Sequence, residues 1–212
     1  MVIWFASGNV HKKRELATIL ASDILSNAIL SNDILVKTPS DAGLEFAPEE
    51  TGNSFVENAL IKAVALYKLL EESRPDAYTG GDPIIADDSG LCVDALDGRP
   101  GIHSAYYGGI ELSSKERNTL VLSELGNNPM RNARFVCAMV LYYGPERFYI
   151  AQEKLEGELA RNMQLARGLG GFGYDPILYL PEFGRTVAEL SDEEKNRISH
   201  RGKAAMAIGR FL

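Results

Sequence analysis

The sequence predicts an α/β protein, and three stretches along the chain carry this prediction. Residues 2 to 6 form a continuous apolar run of strand length, as in a sheet that is covered on both faces. A break at residues 7 to 9 leads into a segment whose apolar residues have helical spacing. Further on, residues 134 to 143 and 147 to 154 flank Gly144-Pro145 as the two strands of a hairpin.

Length and composition restrict the class of protein. With 212 residues the chain is long enough for a sizeable core in one large domain or two small ones. The hydrophobic share of 45% is that of an ordinary soluble globular protein. No apolar run approaches the roughly 20 residues that span a bilayer, and the N-terminus lacks the pattern of a signal peptide. We therefore expect a cytoplasmic protein that does not associate with membranes.

The charge and the cysteines narrow the class further. A formal net charge of −7 argues against binding to DNA or RNA polymers, whose phosphate backbones need a basic surface. A small anionic ligand needs only a local cluster of cations, so it is not excluded. Cys92 and Cys137 lie in apolar surroundings. We expect both to be buried thiols in a reducing compartment.

The turn after the first strand is a candidate phosphate site. A strand, a tight turn and a helix together direct backbone N–H groups and the positive end of the helix at one point. Lys12 and Lys13 lie in the first turn of this helix, where acidic residues are preferred. A bound anion would explain these lysines, and a solvated basic turn would explain them equally well.

A second helix is predicted after residues 49 to 54. Ser54 and Glu57 form a capping box that starts a helix near Phe55. Asn58 and Lys62 are four residues apart and share one face of that helix. The carboxylates that precede the cap, Glu49 and Glu50, are either partners of the helix dipole or metal ligands. The second interpretation requires that this loop lies beside Asp88.

Other local signals complete the expected secondary structure. Two more capping boxes, Ser113 with Glu116 and Ser191 with Glu194, predict further helices. Residues 34 to 36 have the composition of a short strand, and residues 74 to 83 are a loop rich in glycine and proline.

Two adjacent carboxylates follow a buried strand in the middle of the chain. The apolar residues 84 to 86 lead directly into Asp87 and Asp88. Because successive side chains of a strand point to opposite faces, only one of the two carboxylates can face a given cleft. Acids at the end of a strand suit Mg²⁺, which takes few protein carboxylates and keeps positions for water and phosphate. The alternative is a polar turn that merely ends the strand.

Residues 168 to 176 combine four glycines with two aromatic residues and one carboxylate, in the sequence GLGGFGYDP. One interpretation is a platform on which a nucleobase stacks. The other is a glycine-rich hairpin loop whose aromatic residues belong to the core. A dinucleotide-binding fingerprint is disfavoured, since it requires a strand before the glycines and a helix after them.

Five stretches, taken in this order, resemble the inosine triphosphate pyrophosphatase family. They are SGNVHK at 7 to 12, EETGNSFVENALIKA at 49 to 63, ADDSGLCVDALDGRPGIHSAYYGG at 86 to 109, GGFGYDPI at 170 to 177 and SHRGKA at 199 to 204. The resemblance implies Mg²⁺-dependent hydrolysis of purine nucleoside triphosphates with non-standard bases (dITP, ITP and XTP) to monophosphate and pyrophosphate. This reaction removes such nucleotides from the pool.

The resemblance also implies an architecture. We expect a single domain over residues 1 to 212, built on an elongated mixed β-sheet that is flanked by helices. Two lobes would surround a central substrate cleft, and the protein would be a homodimer.

The family's functional residues match individual positions of this chain. The resemblance assigns the phosphates to Ser7, Gly8, Asn9, Val10, His11 and Lys12. It makes Asp88 the catalytic, metal-linked carboxylate, with Glu49 as the second metal ligand and Ser89 beside the substrate. It assigns the base and sugar to Phe172, Gly173, Tyr174 and Asp175, and the purine to His200 and Arg201. Lys195 would contact phosphate or the base edge, and Lys62 matches a phosphate-contacting lysine.

Departures from the family pattern are small. Ser7 stands where threonine is frequent, and both residues supply a hydroxyl group. The segments near residues 21 to 34 and 71 to 83 look longer than in compact members. Glu50 rivals Glu49 as the metal ligand, because the two are adjacent.

Two other functions compete with this interpretation. An aspartyl-phosphate phosphatase normally has one residue between its two aspartates, whereas Asp87 and Asp88 are adjacent. A nucleotide sensor without turnover needs cations more than acids. The presence of both Asp88 and Glu49 therefore argues against a sensor.

Overall fold

The computed structural model describes residues 1–21 and 34–212 and contains a mixed β-sheet with helices. Within these residues the strands are β1 (Val2–Phe5), β2 (Leu35–Lys37), β3 (Ile84–Val93), β4 (Asn132–Gly144), β5 (Arg147–Leu159), β6 (Leu178–Leu180) and β7 (Arg185–Thr186). The α-helices are α1 (Val10–Leu20), α2 (Phe55–Ser73), α3 (Ser114–Leu125), α4 (Asp192–Ile198) and α5 (His200–Gly209).

The described strands form one seven-stranded sheet in the order β2-β1-β3-β4-β5-β6-β7. Strand β1 pairs in parallel with β2 and β3, with Val2 opposite Leu35 and Trp4 opposite Ile84. At the other end, β6 is antiparallel to both β5 and β7. The predicted α/β class with a mixed sheet is therefore confirmed, and so are neighbouring strands on the two sides of Gly144-Pro145.

The chain divides into two compact units, which we call the first unit and the second unit. The first unit contains Met1–Asp88, Cys137–Glu153 and Arg201–Leu212, and the second contains Ser89–Val136 and Lys154–His200. The single domain with two lobes over residues 1 to 212 stays a prediction.

The core of the first unit packs helices against the parallel strands. Its buried residues come from β1, α1, β2, β3, β4 and α5, and include Ile3, Phe5, Leu16, Ile19, Leu20, Val36, Ile85, Met139, Leu141, Ala204, Ala205 and Ile208. The apolar run of β1 is thus buried, as expected for a strand that is covered on both faces.

The core of the second unit is separate and is built around α3. Helix α3 contributes Val121, Leu122 and Leu125 to this core. They pack with residues of β3 to β6 and of the following loops, among them Leu91, Phe135, Leu159, Tyr174, Ile177, Leu178 and Val187.

The capping signals predicted the starts of three helices correctly. Ser54 precedes α2 and accepts a hydrogen bond from the backbone N–H of Glu57. Ser113 before α3 and Ser191 before α4 each form both halves of a capping box. Each box satisfies N–H groups that the first turn of a helix leaves without a partner.

The remaining expectations have mixed outcomes. Both cysteines are free, and Cys137 is buried as expected, whereas Cys92 is only half-buried. The predicted short strand lies one residue later, at Leu35–Lys37. Most of the segment near residues 21 to 34 that looked long lies outside the described residues. None of the helices described is both long and apolar enough to cross a bilayer.

Candidate active site

A fully buried carboxylate lies at the centre of the first unit. Asp87 is 0% exposed, and Lys12 Nζ donates to its Oδ1 atom at 3.0 Å. Arg201 donates to the other oxygen, Oδ2, from Nε at 3.2 Å and from Nη2 at 3.1 Å. Burial by itself would raise the pKa of Asp87, but the charges of Lys12 and Arg201 hold it below its usual value. Asp87 is therefore an ionised carboxylate in the interior.

Arg201 connects this carboxylate to a second one. Its Nη1 atom donates to Glu15 Oε2 at 2.6 Å, and the residue is only 2% exposed. Burial disfavours the charged guanidinium, yet Asp87 and Glu15 raise the pKa of Arg201. The structure thus shows Arg201 between two carboxylates, and its contact with a purine stays a prediction.

Asp88 has a different environment, although it is adjacent in sequence. Helix α2 supplies its neighbours: Asn58 Nδ2 donates to Asp88 Oδ2 at 3.2 Å, and Lys62 Nζ lies 3.6 Å from Oδ1. Burial raises the pKa of Asp88, while Lys62 and Lys12 partly offset that effect. The shared helix face expected for Asn58 and Lys62 is confirmed, and it is directed at the candidate catalytic carboxylate.

Lys62 also contacts the loop that precedes α2. Its ammonium lies 3.0 Å from Glu50 Oε2, so a single cation pairs with both Glu50 and Asp88. Burial lowers the pKa of Lys62, but the carboxylates around it raise that pKa above its ordinary value. Glu49, the predicted metal ligand, is exposed. Of the two candidate metal ligands, Glu50 is the one that contacts Lys62.

The start of α1 is closed by its own side chains. Asn9 Oδ1 accepts hydrogen bonds from the backbone N–H groups of His11 at 2.9 Å and Lys12 at 3.2 Å. Ser7 Oγ accepts from the N–H of Asn9 at 3.1 Å. The remaining predicted residues of this turn, Gly8, Val10 and His11, are exposed.

Both lysines of the first turn of α1 have carboxylate partners. Lys12 pairs with Asp87, as described above, and Lys13 Nζ lies 2.6 Å from Asp41 Oδ2. The hydrogen bond from Lys13 is the main cause that lowers the pKa of Asp41 to about 2. Contacts within the chain thus account for positive charge at this helix start. Whether the turn also binds phosphate stays a prediction.

The second unit contains the glycine-rich turn. The carboxylate of Asp175 accepts a hydrogen bond from the backbone N–H of Phe172 at 2.8 Å and one from Lys195 Nζ at 2.8 Å. Lys195 Nζ also lies 5.0 Å from the centre of the Phe172 ring, within reach of a cation–π interaction. Asp175 and Lys195 are both buried. Gly171, at φ +69°, has no room for a Cβ, which would lie 2.0 Å from Asp175 Oδ2.

The two aromatic residues of this turn differ. Tyr174 is buried in the core of the second unit, and its hydroxyl donates to the Ser104 carbonyl at 2.9 Å. Burial raises the pKa of this hydroxyl well above its usual value. Phe172 is half-buried. The core interpretation therefore describes Tyr174, and contact of Phe172 with a base stays a prediction.

His200 and Ser89 complete the predicted set. His200 is buried and stacks on Phe135, with the ring centres 5.0 Å apart and an angle of 28° between the planes. Ser89 is half-buried in β3, directly after Asp88. Because β3 continues to Val93, the prediction that Asp87 and Asp88 lie at the end of a strand is wrong, and both lie within it.

Sequence reasoning assigned no role to several residues of these clusters. Asp87 was grouped with Asp88 but given no function, and Glu15 was not considered. Asn58 had a usable signal, since it lies four residues before Lys62 on one face of α2. Asn118 donates to the Gly173 carbonyl at 3.1 Å, a contact across 55 residues that no local pattern reveals.

Comparison with known proteins gives one consistent result. Residues 3–211 match the model of the Ham1 family. The chain is 47% identical to a dITP/XTP pyrophosphatase of Treponema denticola, covering 100% of this chain and 98% of the relative. It is 42% identical to a protein of the same name from Geobacillus kaustophilus, covering 95% and 89%.

Solved structures agree with this result. The Staphylococcus aureus Ham1 protein matches with a TM-score of 0.80 and 37% identity, over 100% of this chain and 98% of that one. A Ham1 protein from Coxiella burnetii matches with a TM-score of 0.77 and 36% identity, over the same shares. The family recognised from five short stretches of sequence is confirmed over the whole chain, which belongs to the Ham1 family.

Proposed function

We propose that this protein hydrolyses dITP, ITP and XTP to the nucleoside monophosphate and pyrophosphate, and so removes them from the nucleotide pool. The name dITP/XTP pyrophosphatase, shared by its relatives, supports the reaction. The observation that carries it is Asp88, a largely buried carboxylate with a raised pKa that is oriented by Asn58 and Lys62. The proposal includes a cytoplasmic homodimer that binds neither membranes nor nucleic acid polymers.

The carboxylates of the first unit suit an Mg²⁺ ion whose coordination shell is completed by phosphates of the substrate. Among residues 1–21 and 34–212, no group of three or more His, Cys, Asp or Glu is arranged to hold a metal ion. Magnesium sites often use one or two carboxylates and complete the shell with water and substrate phosphates. Asp88 together with Glu49 or Glu50 would supply these carboxylates. Bound there, Mg²⁺ would neutralise charge on the triphosphate.

Asp88 is proposed to act as the general base for the attacking water. Its raised pKa makes it a better proton acceptor than an exposed aspartate. The hydrogen bond from Asn58 fixes one carboxylate oxygen, and Lys62 lies near the other. The carboxylate therefore has a defined orientation, which matters because positioning and electrostatics dominate phosphoryl transfer.

Cationic groups are proposed to stabilise charge on the phosphates. Lys62 already pairs with two carboxylates, and a triphosphate would offer it a further anionic partner. Lys12 and the backbone of residues 7 to 12 are proposed to contact the same phosphates. In the second unit, Phe172, Asp175 and Lys195 are proposed to contact the base and sugar.

The environment of Asp87 argues against the competing aspartyl-phosphate phosphatase mechanism. A nucleophilic aspartate needs an accessible oxygen, whereas Asp87 is fully buried and its two oxygens accept hydrogen bonds from Lys12 and from the buried Arg201. The sensor hypothesis is tested directly by turnover.

We expect wild-type protein with Mg²⁺ to release pyrophosphate and dIMP from dITP. Products are separated by chromatography, and pyrophosphate and inorganic phosphate are both quantified at early times. Inorganic phosphate as the first product would contradict the proposal in favour of a phosphatase. Absence of turnover would favour the sensor.

The Asp88→Asn variant is expected to lose turnover by about 10²–10⁴-fold while it still binds nucleotide. Asparagine keeps the shape of the side chain and an oxygen that accepts from Asn58, but it removes the charge. The matched control is Asp87→Asn, which leaves Lys12 and Arg201 with less negative charge in the interior. We expect this control to lose about 3–5 kcal/mol of stability in denaturant unfolding. Near-wild-type turnover of Asp88→Asn would remove Asp88 from catalysis.

For Glu49→Gln we expect a raised Mg²⁺ requirement that excess metal partly overcomes. The matched variant is Glu50→Gln, which removes the carboxylate that pairs with Lys62. Turnover is measured against Mg²⁺ concentration for both. A shifted titration in Glu50→Gln beside an unchanged one in Glu49→Gln would assign the ligand to Glu50.

Arg201→Ala is expected to reduce kcat/KM more for ITP than for ATP. Hypoxanthine carries an oxygen acceptor at C6, where adenine carries an amino donor, and arginine only donates. Glu15→Gln is the control, because it weakens the ion pair that holds Arg201 in place but keeps the guanidinium. An equal loss on both nucleotides in Arg201→Ala would show that Arg201 serves Asp87 and does not recognise the base.

A further inference from the structure

A buried asparagine occupies an apolar position of α3. Asn118 is 3% exposed and lies three, four and seven residues before Val121, Leu122 and Leu125, which are all buried in the second unit. This spacing places Asn118 on the apolar face of the helix, where a leucine would fit the pattern. Its amide therefore has to find hydrogen-bond partners inside the protein.

The amide finds only one partner among the residues that the structure describes. Asn118 Nδ2 donates to the Gly173 carbonyl at 3.1 Å. The Oδ1 atom is buried and accepts no hydrogen bond from the described part of the chain. A buried acceptor without a partner lowers stability, so packing gives no reason for an asparagine at this place.

Asn118 contacts the backbone of the glycine-rich turn at Gly173. Gly173 has φ +64° and lies between Phe172 and Tyr174, in the middle of the glycine-rich turn. Tyr174 anchors the turn to the Ser104 carbonyl, and Lys195 anchors the Asp175 carboxylate. Asn118 holds the backbone of the turn at Gly173, one residue from the half-buried Phe172.

We propose that Asn118 is a positioning residue for nucleotide recognition, which holds the Gly173 carbonyl so that Phe172 and Asp175 are correctly placed for the base. This role rests on the proposed function of the same turn. Asn118 donates from a rigid helix, so it fixes the turn before the nucleotide binds and reduces the ordering that binding requires.

The test is Asn118→Leu, which keeps the size of the side chain and suits the apolar face but cannot donate. We expect an unchanged or higher melting temperature, because the unpaired acceptor is removed together with the donor. We expect the KM for dITP to rise by about threefold to tenfold, as for one net hydrogen bond, with a smaller change in kcat. Amide hydrogen exchange at residues 172 to 175 should accelerate.

Two further variants separate positioning from a general structural role. Asn118→Asp places an acceptor against the Gly173 carbonyl unless the carboxyl is protonated. Its KM relative to the wild type should therefore fall as the pH is lowered. Thr119→Ala is the control, since this neighbouring residue is exposed and its hydroxyl donates to the Lys115 carbonyl within α3. It should leave KM and exchange unchanged.

The outcomes are distinguishable. A lower melting temperature with equal losses of kcat for dITP and dATP and an unchanged KM would make Asn118 structural and overturn the proposal. If the wild type releases no pyrophosphate, the proposed function fails by itself, and calorimetric binding of dIMP then tests Asn118. Weaker binding of dIMP to Asn118→Leu would support the role, and equal affinity would overturn it.

Discussion

The buried carboxylate of Asp87 is the interaction on which the first unit depends. It accepts hydrogen bonds from Lys12 on α1 and from Arg201 on α5, so it joins two helices to strand β3. An isolated charge in this interior would be strongly unfavourable, and only the two cations make it tolerable. Glu15 then balances Arg201 from its other side. Asp88, the next residue, instead contacts Asn58 and Lys62 of α2.

A local balance of charges bears on the proposed binding of a triphosphate by a protein with a net charge of −7. Three lysines of the first unit, Lys12, Lys13 and Lys62, each pair with a carboxylate. An incoming polyanion therefore meets cations whose positions are already fixed, but it competes with carboxylates for them. Part of the free energy with which the lysines would bind the phosphates would be lost in this competition. A divalent cation that binds together with the triphosphate would restore it.

Local signals made much of the fold predictable, whereas the pairing of charges was not. The capping boxes at Ser113 and Ser191 and the apolar run of β1 act within a few residues, so their outcome follows from sequence. Five stretches in order were enough to recognise the family and its candidate residues. Lys12 meets Asp87 across 75 residues and Asn118 meets Gly173 across 55, and no periodicity encodes such contacts. Cys92 was expected to be buried because its sequence neighbours are apolar, but it is half-buried. The exposure of a residue depends on segments that are distant in sequence, which its neighbours do not reveal.

The adjacency of Asp87 and Asp88 also has a consequence for how β3 finds its place beside β1. If the strand slipped by one residue in one direction, Ala86 would face Lys12 and Arg201, and both cations would lose the carboxylate of Asp87. If it slipped the other way, Ser89 would take the place of Asp88 beside Lys62. The first shift removes a carboxylate from two cations and the second removes one from Lys62, so each wrong pairing carries an electrostatic cost. The two adjacent carboxylates thus also favour the correct alignment of β3 beside β1.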